Sequence, residues 1–419
     1  MNPSPPISGR LDSRLEERRR KSGRWRIIFL VCTIVSVFFL AALLAGIVNQ
    51  AFGYVLVQTE EDPAKLVPEG ETLSEQDAQG LSSILQERLS RRLYRKLDTE
   101  APLAERSRAE LLGISDAEIL KPHVIATWSL FESIFFKPEI MESVVRDYQG
   151  GSLQFRSWVS ASLLSSSQSS DPLRSGIRGA LLGSLLTILF TILFALPLGV
   201  AAAVWLEEYA RDNWLNRVIR TNIYNLAGVP SIIYGMLGLA LFVRAMAPLT
   251  SGAIFGVQSE GTSLDGRTVL SASLSLALLI LPIIIINAQE AMRAVPQSLR
   301  QSSLALGATR WQTVWHHVLP ASADRILTGA VLAISRALGE TAPLVVVGAS
   351  TFLSMDPTGP FSKFTTLPIQ IYQWSARPQQ EFRNLAAGAI VVLLVMLLSL
   401  NASVIYMRAK YSNKKAASQ

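Results

Sequence analysis

The chain is poor in charge. Only 17% of its 419 residues are Asp, Glu, Lys or Arg, against 49% hydrophobic, where soluble domains carry about 25% charged residues. The mean hydropathy of +0.31 points the same way. One cysteine, Cys32, excludes a disulfide framework within the chain and a cysteine-based metal site. Three histidines, His123, His316 and His317, leave little for a zinc enzyme. A Gly-x-x-x-x-Gly-Lys-Ser/Thr loop is also missing, so nucleotide binding by that route is excluded. No nucleophile–base pair stands out, so no catalytic residue, metal ligand or cofactor is expected.

What the chain has instead is long apolar runs. Crossing about 30 Å of hydrocarbon takes roughly 20 apolar residues as helix. Six runs reach that length: 27–48, 179–206, 222–243, 268–289, 326–350 and 385–407. These imply an all-α membrane protein with six transmembrane helices. The first run could also be a cleaved signal peptide. Its 22 residues exceed the roughly 7–15 of a signal core, which favours an uncleaved span.

The net charge of +7 is unevenly placed. Residues 1–26 hold eight Lys/Arg and three acids, and residues 408–419 hold four Lys/Arg and no acid. By the positive-inside rule both termini are expected in the cytoplasm. Residues 49–175 hold 19 acids and 13 bases and are expected outside, in the periplasm. Basic residues confined to membrane flanks argue against nucleic acid as a partner. The organisation expected is a tail over 1–26, a first transmembrane helix over 27–48, an external segment over 49–175, a five-helix core over 176–407 and a tail over 408–419. In the external segment Leu81, Ile84, Leu85, Leu89, Leu93 and Leu97 recur at helical spacing, and Ala109–Ile119 reads as another helix. A small, mostly helical segment is expected there. Lone His123 reads as an ordinary surface or core histidine.

Residues 290–325 form the longest internal stretch expected in the cytoplasm. Pro296 opens a helix, Gly307 and Thr309 allow a turn, and a second helix runs to about Val318, before Leu319 and Pro320. The small residues Ser302, Ser303, Ala305, Gly307 and Ala308 permit close approach of another protein. The stretch resembles the cytoplasmic coupling motif of type I ABC importer permeases: Glu-Ala-Ala, three residues, Gly, nine residues, Ile, one residue, Leu-Pro. Gly307 and Leu319-Pro320 fall on the pattern. Gln301-Ser302-Ser303 stand for Glu-Ala-Ala, and His317 stands for Ile.

Three further runs, Leu198–Ala210, Gly228–Phe242 and Arg336–Leu344, resemble the phosphate permeases of the Pst system. Gly-Glu-Thr-Ala-Pro at 339–343 favours the PstA subunit over its PstC partner. The likeness covers roughly residues 150–410, and residues 55–150 look like an insertion. It implies a MetI-like permease core in the inner membrane and a heterodimer with a PstC-like permease. It also implies two copies of a cytoplasmic ATPase subunit docking on a coupling loop of Gln301, Ser302, Ser303, Ala305, Leu306, Gly307, Ala308, Thr309, Leu319 and Pro320. A periplasmic phosphate-binding protein would deliver the substrate. Other oxyanions such as sulfate or molybdate, or a small polar solute such as an amino acid, remain alternatives, as does a membrane sensor with an external domain.

Two charges fall inside the fifth run, Arg336 and Glu340. Each costs at least about 2.5–3.5 kcal/mol at a bilayer centre. Four residues apart, they share a helix face and can pair. A guanidinium suits an oxyanion crossing the membrane, and the resemblance links these positions to transport. The alternative is an ion pair packed against a partner subunit. Pro197, Pro230, Pro282 and Pro343 lie in runs and can kink them.

Overall fold

A computed structural model describes residues 7–59, 76–103, 106–120, 122–148, 151–257, 265–350, 352–353 and 355–416. Side chains of 407–419 and of all residues before 18 fall outside that description, so most of the two basic tails is not placed by it. The chain opens on helix α1 (Ile7–Ala51), which runs directly into strand β1 (Phe52–Gln58). Helices α2 (Ala78–Arg88), α3 (Arg91–Glu100) and α4 (Arg108–Ser115) follow, then β2 (His123–Thr127), α5 (Leu130–Phe135), α6 (Lys137–Asp147), β3 (Ser152–Ser157) and α7 (Ala161–Ser165). The remainder is helical: α8 (Arg178–Val204), α9 (Trp214–Ala227), α10 (Ser231–Gly238), α11 (Ala247–Thr250), α12 (Val269–Arg293), α13 (Gln297–Ala305), α14 (Arg310–Thr313), α15 (Leu319–Gly339), α16 (Ala342–Val347), α17 (Leu367–Ser375) and α18 (Gln380–Ala416).

Among the described residues, five continuous helices are long and apolar enough to cross a membrane: Lys21–Ala51, Arg178–Tyr209, Val269–Arg293, Arg310–Gly339 and Gln380–Ser403. The sixth candidate is broken. Trp214–Ala227 and Ser231–Ala245 meet at 104°. The run read at 222–243 therefore divides, and Asn222–Ala227 belong to α9. Pro230 explains the break, because it lacks a backbone donor and restricts Val229 before it. Tyr234 Oη donates to the Leu226 carbonyl across the bend at 2.8 Å, alongside the Val229 N–H that the same carbonyl accepts at 3.1 Å.

The sheet is a finding that the sequence reading did not contain. Its order is β2-β1-β3, antiparallel throughout. Successive residues of β1 point to opposite faces. Val55 packs with Trp158, Ile177, Trp374 and Phe382, at the start of α8 and α18. Leu56 packs with Ile140 and Val144 of α6. The sheet therefore seats the inserted segment on one end of the helical bundle. Helices α2–α4 close a separate small core of Leu81, Leu85, Leu103 and Leu111. The leucine series from 81 to 97 is split in two at Ser90, whose Oγ accepts the Leu93 N–H and caps α3.

Within the bundle α12 is central. It contacts α8, α15, α9, α10 and α16. Close helix approach depends on small residues, as membrane packing requires. A Cβ at Gly199 of α8 would lie 2.6 Å from Ile284 Cγ2 of α12. At mid-bundle Ile188, Ala195, Tyr234, Ile280, Ile284, Ala333, Ala337 and Leu338 form one cluster. At the end away from the sheet Ala203, Leu206, Ala288, Met292, Val314 and Val318 form another.

Candidate functional site

The fifth run, read as 326–350, starts earlier and breaks sooner than its hydropathy suggests. The helix begins at Arg310, passes through a widened turn at Val314–Val318 and continues to Gly339. Leu319 N–H donates to the Val314 carbonyl, one residue further back than in an α-helix. Pro320 accounts for the wide turn: its ring would clash with the carbonyl four residues earlier and it offers no N–H. The expected helix end before Leu319-Pro320 is thus corrected to a continuous helix.

At the other end α15 stops at Gly339, and Glu340 is its extended C-cap. After Thr341 the short α16 carries the chain on beside α10. A Cβ on Gly235 of α10 would lie 2.6 Å from Pro343 Cα, so glycine permits that contact. The neighbouring Ala333, Ile334, Ala337 and Leu338 belong to the mid-bundle cluster, so the break lies inside the bundle rather than at its surface end. Gly235→Val is expected to push α10 off Pro343. A destabilisation of about 1–3 kcal/mol should follow, read as a lower melting temperature of the purified protein.

The break gathers the two intramembrane charges. Arg336 Nε lies 3.3 Å from Glu340 Oε1, with the arginine side chain 45% exposed and the glutamate 17%. Arg336 is in the last turn of α15, where the helix dipole favours a cation. A half-exposed guanidinium at mid-span is a poor neighbour for lipid tails, so its open side suits an aqueous path or another subunit. Ser335 Oγ donates to Asn401 Oδ1 at 2.8 Å and ties this part of α15 to α18.

The loop at the opposite end is a helix–turn–helix. Helix α13 ends in a Schellman turn: Gly307 N–H reaches the Leu304 carbonyl at 3.0 Å, and Ala308 N–H reaches the Ser303 carbonyl at 3.2 Å. Gly307 has φ +86°, the left-handed conformation that favours glycine at this position. Thr309 then caps α14 with Gln312 in a reciprocal capping box. Ser303 is turned inward and pairs with Thr313 at 3.0 Å, closing the two helices together. Gln301, Ser302, Ala305, Leu306, Gly307 and Thr309 are exposed, Ala308 is half-buried, and Leu306 at the tip is 89% exposed. Leu319 and Pro320 stand apart from this tip, at the start of α15. Leu319 instead lines an apolar groove of about 710 Å³ with Trp205, Trp311 and Trp315.

A cluster of charges behind the turn escaped the sequence reading. Glu208 Oε1 accepts from Arg300 Nη2 at 2.8 Å, and these side chains are 13% and 11% exposed. Arg300 also donates to the carbonyls of Val295 and Met292 at 2.7 and 2.9 Å, satisfying the C-terminal end of α12. Beside it Glu207 receives Arg293 Nε at 3.0 Å and lies 3.7 Å from Arg220 Nη1. Arg220 also donates to the Leu206 carbonyl. These pairs bind the end of α8 to α9, α12 and α13. The signal was present as Glu-Glu at the end of an apolar run, but its partners lie 13 to 92 residues away. Among the described residues no group of three or more metal-ligating side chains is gathered.

Five continuous helices and one bent pair, all long and apolar enough to cross a membrane, define a multi-pass membrane protein. The chain belongs to the family of binding-protein-dependent transport system inner membrane components, whose profile matches residues 195–412. It is 36% identical over 218 residues to the phosphate transport system permease protein PstA of Yersinia pestis, covering 51% of this chain and 67% of that one. To the phosphate transport system permease protein PstA 1 of Mycobacterium tuberculosis it is 32% identical, covering 49% and 62%. A bacterial ABC transporter involved in the import of the acidic polysaccharide alginate is similar at 16% identity and a TM-score of 0.45, over 76% of this chain and 99% of that one.

Proposed function

We propose that this chain is the PstA-type permease subunit of an ATP-driven importer that carries inorganic phosphate across the bacterial inner membrane. The observation that carries the reading is the Arg336–Glu340 pair at a helix break inside a bundle of importer-permease sequence. Its relatives include several named as phosphate transport permeases, which supports phosphate over sulfate, molybdate or an amino acid. Arg336 meets the anion with its planar donor fork. Glu340 holds the guanidinium and keeps the site from binding phosphate too tightly to release it.

In this reading both termini and the 290–325 loop are cytoplasmic, and the sheet and its helices are periplasmic. Residues 1–26, 27–48, 49–175, 176–407 and 408–419 then divide into tail, span, periplasmic segment, core and tail. ATP is hydrolysed on a separate subunit, two copies of which serve this chain and a PstC-like partner. The exposed tip at 301–309 is the contact, and the Glu208–Arg300 pair makes it rigid enough to pass a movement to α12 and α15. A periplasmic phosphate-binding protein supplies the substrate.

Leu306 would bury its side chain in the ATPase, worth about 1.5–3 kcal/mol. Leu306→Asp is therefore expected to weaken ATPase association by about tenfold or more. Copurification of the complex checks this. Unchanged ATPase recovery from the variant would remove the tip from the contact.

A further inference from the structure

The inserted segment carries an apolar surface that the permease reading does not use. On α5, Phe131, Ile134, Phe135 and the following Phe136 are 55%, 62%, 65% and 42% exposed. Phe131 and Phe135 pack on each other with ring centroids 4.6 Å apart. A groove of about 510 Å³ separates this face from Ala45, Gly46 and Val48 of α1. On the other side of α5, Ser133 is buried, and Glu132 is engaged with the backbone and hydroxyl of Ser129.

The position of this face along the membrane normal is fixed by α1. The apolar run of the first span ends at Val48, and Asn49 follows. Phe131 N–H donates to Asn49 Oδ1 at 2.7 Å. Ser133 Oγ accepts the Tyr54 N–H at 2.8 Å, which holds α5 to β1 as well. The N-terminus of α5 is therefore set level with Asn49. Its apolar side chains line a groove whose other wall, Ala45 and Gly46, lies about 4.5–6 Å deeper along the helix axis. Above and below that depth α1 presents Val48, Leu44, Leu43 and Leu40, all exposed and apolar. The α5 face is continuous with that surface.

We infer that α5 is an interfacial element of the first span, with Phe131, Ile134 and Phe135 seated among the acyl chains of the phospholipid leaflet at the C-terminal end of α1. The occupant of the groove is a lipid tail. Burial of these side chains in lipid anchors the sheet at a fixed depth and gives the insertion a fixed height above the bundle. The inference rests on α1 spanning the membrane, which the length and apolar character of Lys21–Ala51 support.

The test uses spin labels on the full chain, assembled with its partner subunits in phospholipid vesicles. Cys32→Ala removes the native thiol, and Phe131→Cys, Ile134→Cys and Phe135→Cys place the labels one at a time. Collision with oxygen, which concentrates in acyl chains, is compared with collision with a water-soluble nickel chelate. The oxygen-to-nickel ratio is expected to be severalfold higher at 131, 134 and 135 than at a label replacing the exposed Glu139. Nickel access at the three positions equal to that at Glu139 would overturn the inference in favour of water. Access by neither reagent would overturn it in favour of a protein partner. A label replacing Phe39, in the middle of the first span, separates the two levels. If that position is open to nickel, the span itself fails; if it is not, failure at α5 belongs to this inference alone.

Discussion

Replacing Arg336 by Gln should abolish phosphate uptake while the complex still assembles. Glutamine keeps the helix preference of the residue but is shorter and loses the charge and the donor fork. Removing one electrostatic stabiliser of a charged species from a water-poor site costs about 10²–10³ in rate, and a similar loss is expected here. A purely structural pair gives a different pattern. If Arg336 serves only to neutralise Glu340, the defect of Arg336→Gln comes from the carboxylate left unpaired inside the bundle, and Arg336→Gln with Glu340→Gln should restore transport. If Arg336 contacts the anion, the double variant stays inactive. Glu340→Gln alone keeps the guanidinium and should keep partial activity, with phosphate held longer. Rates of labelled phosphate uptake by the three variants, at matched levels of assembled complex, distinguish the two roles.

Breaking the pair behind the turn should uncouple the importer. Glu208→Ala leaves Arg300 almost buried without its carboxylate, and breaking one side of such a pair costs about 3–5 kcal/mol. The cost falls locally, on the attachment of α13 to α8 and α12. A lowered melting temperature is expected, with ATP hydrolysis continuing while phosphate uptake falls. Replacing both partners by apolar residues, Glu208→Leu with Arg300→Met, removes the stranded charge and should recover much of the stability. It should not recover coupling fully, since the Met292 and Val295 carbonyls lose the donors that fix the end of α12. A Glu208→Ala protein with an unaltered ratio of ATP hydrolysed to phosphate moved would show that the pair carries no coupling.

Hydropathy made the bundle legible because a membrane imposes length. Runs at 27–48, 179–206, 268–289 and 385–407 all lie on helices of the expected extent. The two departures share a cause. At 222–243 and 326–350 the apolar character continues through a change of direction, and hydropathy records composition rather than backbone path. Pro230 signalled the first break. Glu340 signalled the second, although a lone acid four residues after an arginine reads equally as a pair on a continuous helix. The sheet was hidden for another reason. Strand β1 is seven residues long and starts directly at the end of α1, and its partners stand about 70 and 100 residues away. Pairing at such separation leaves no local signature. The turn at Gly307 was legible because a Schellman motif is local and asks for glycine at one place. The charges that brace it were not, because ion pairs between helix ends follow from packing.

The most direct test of the account is phosphate accumulation in membrane vesicles carrying the complete complex, with ATP supplied on the side of the 290–325 loop and binding protein on the side of the sheet. The account expects labelled phosphate to accumulate only when ATP and binding protein are both present, with excess sulfate unable to compete. Accumulation without ATP, or equal competition by sulfate, would contradict it.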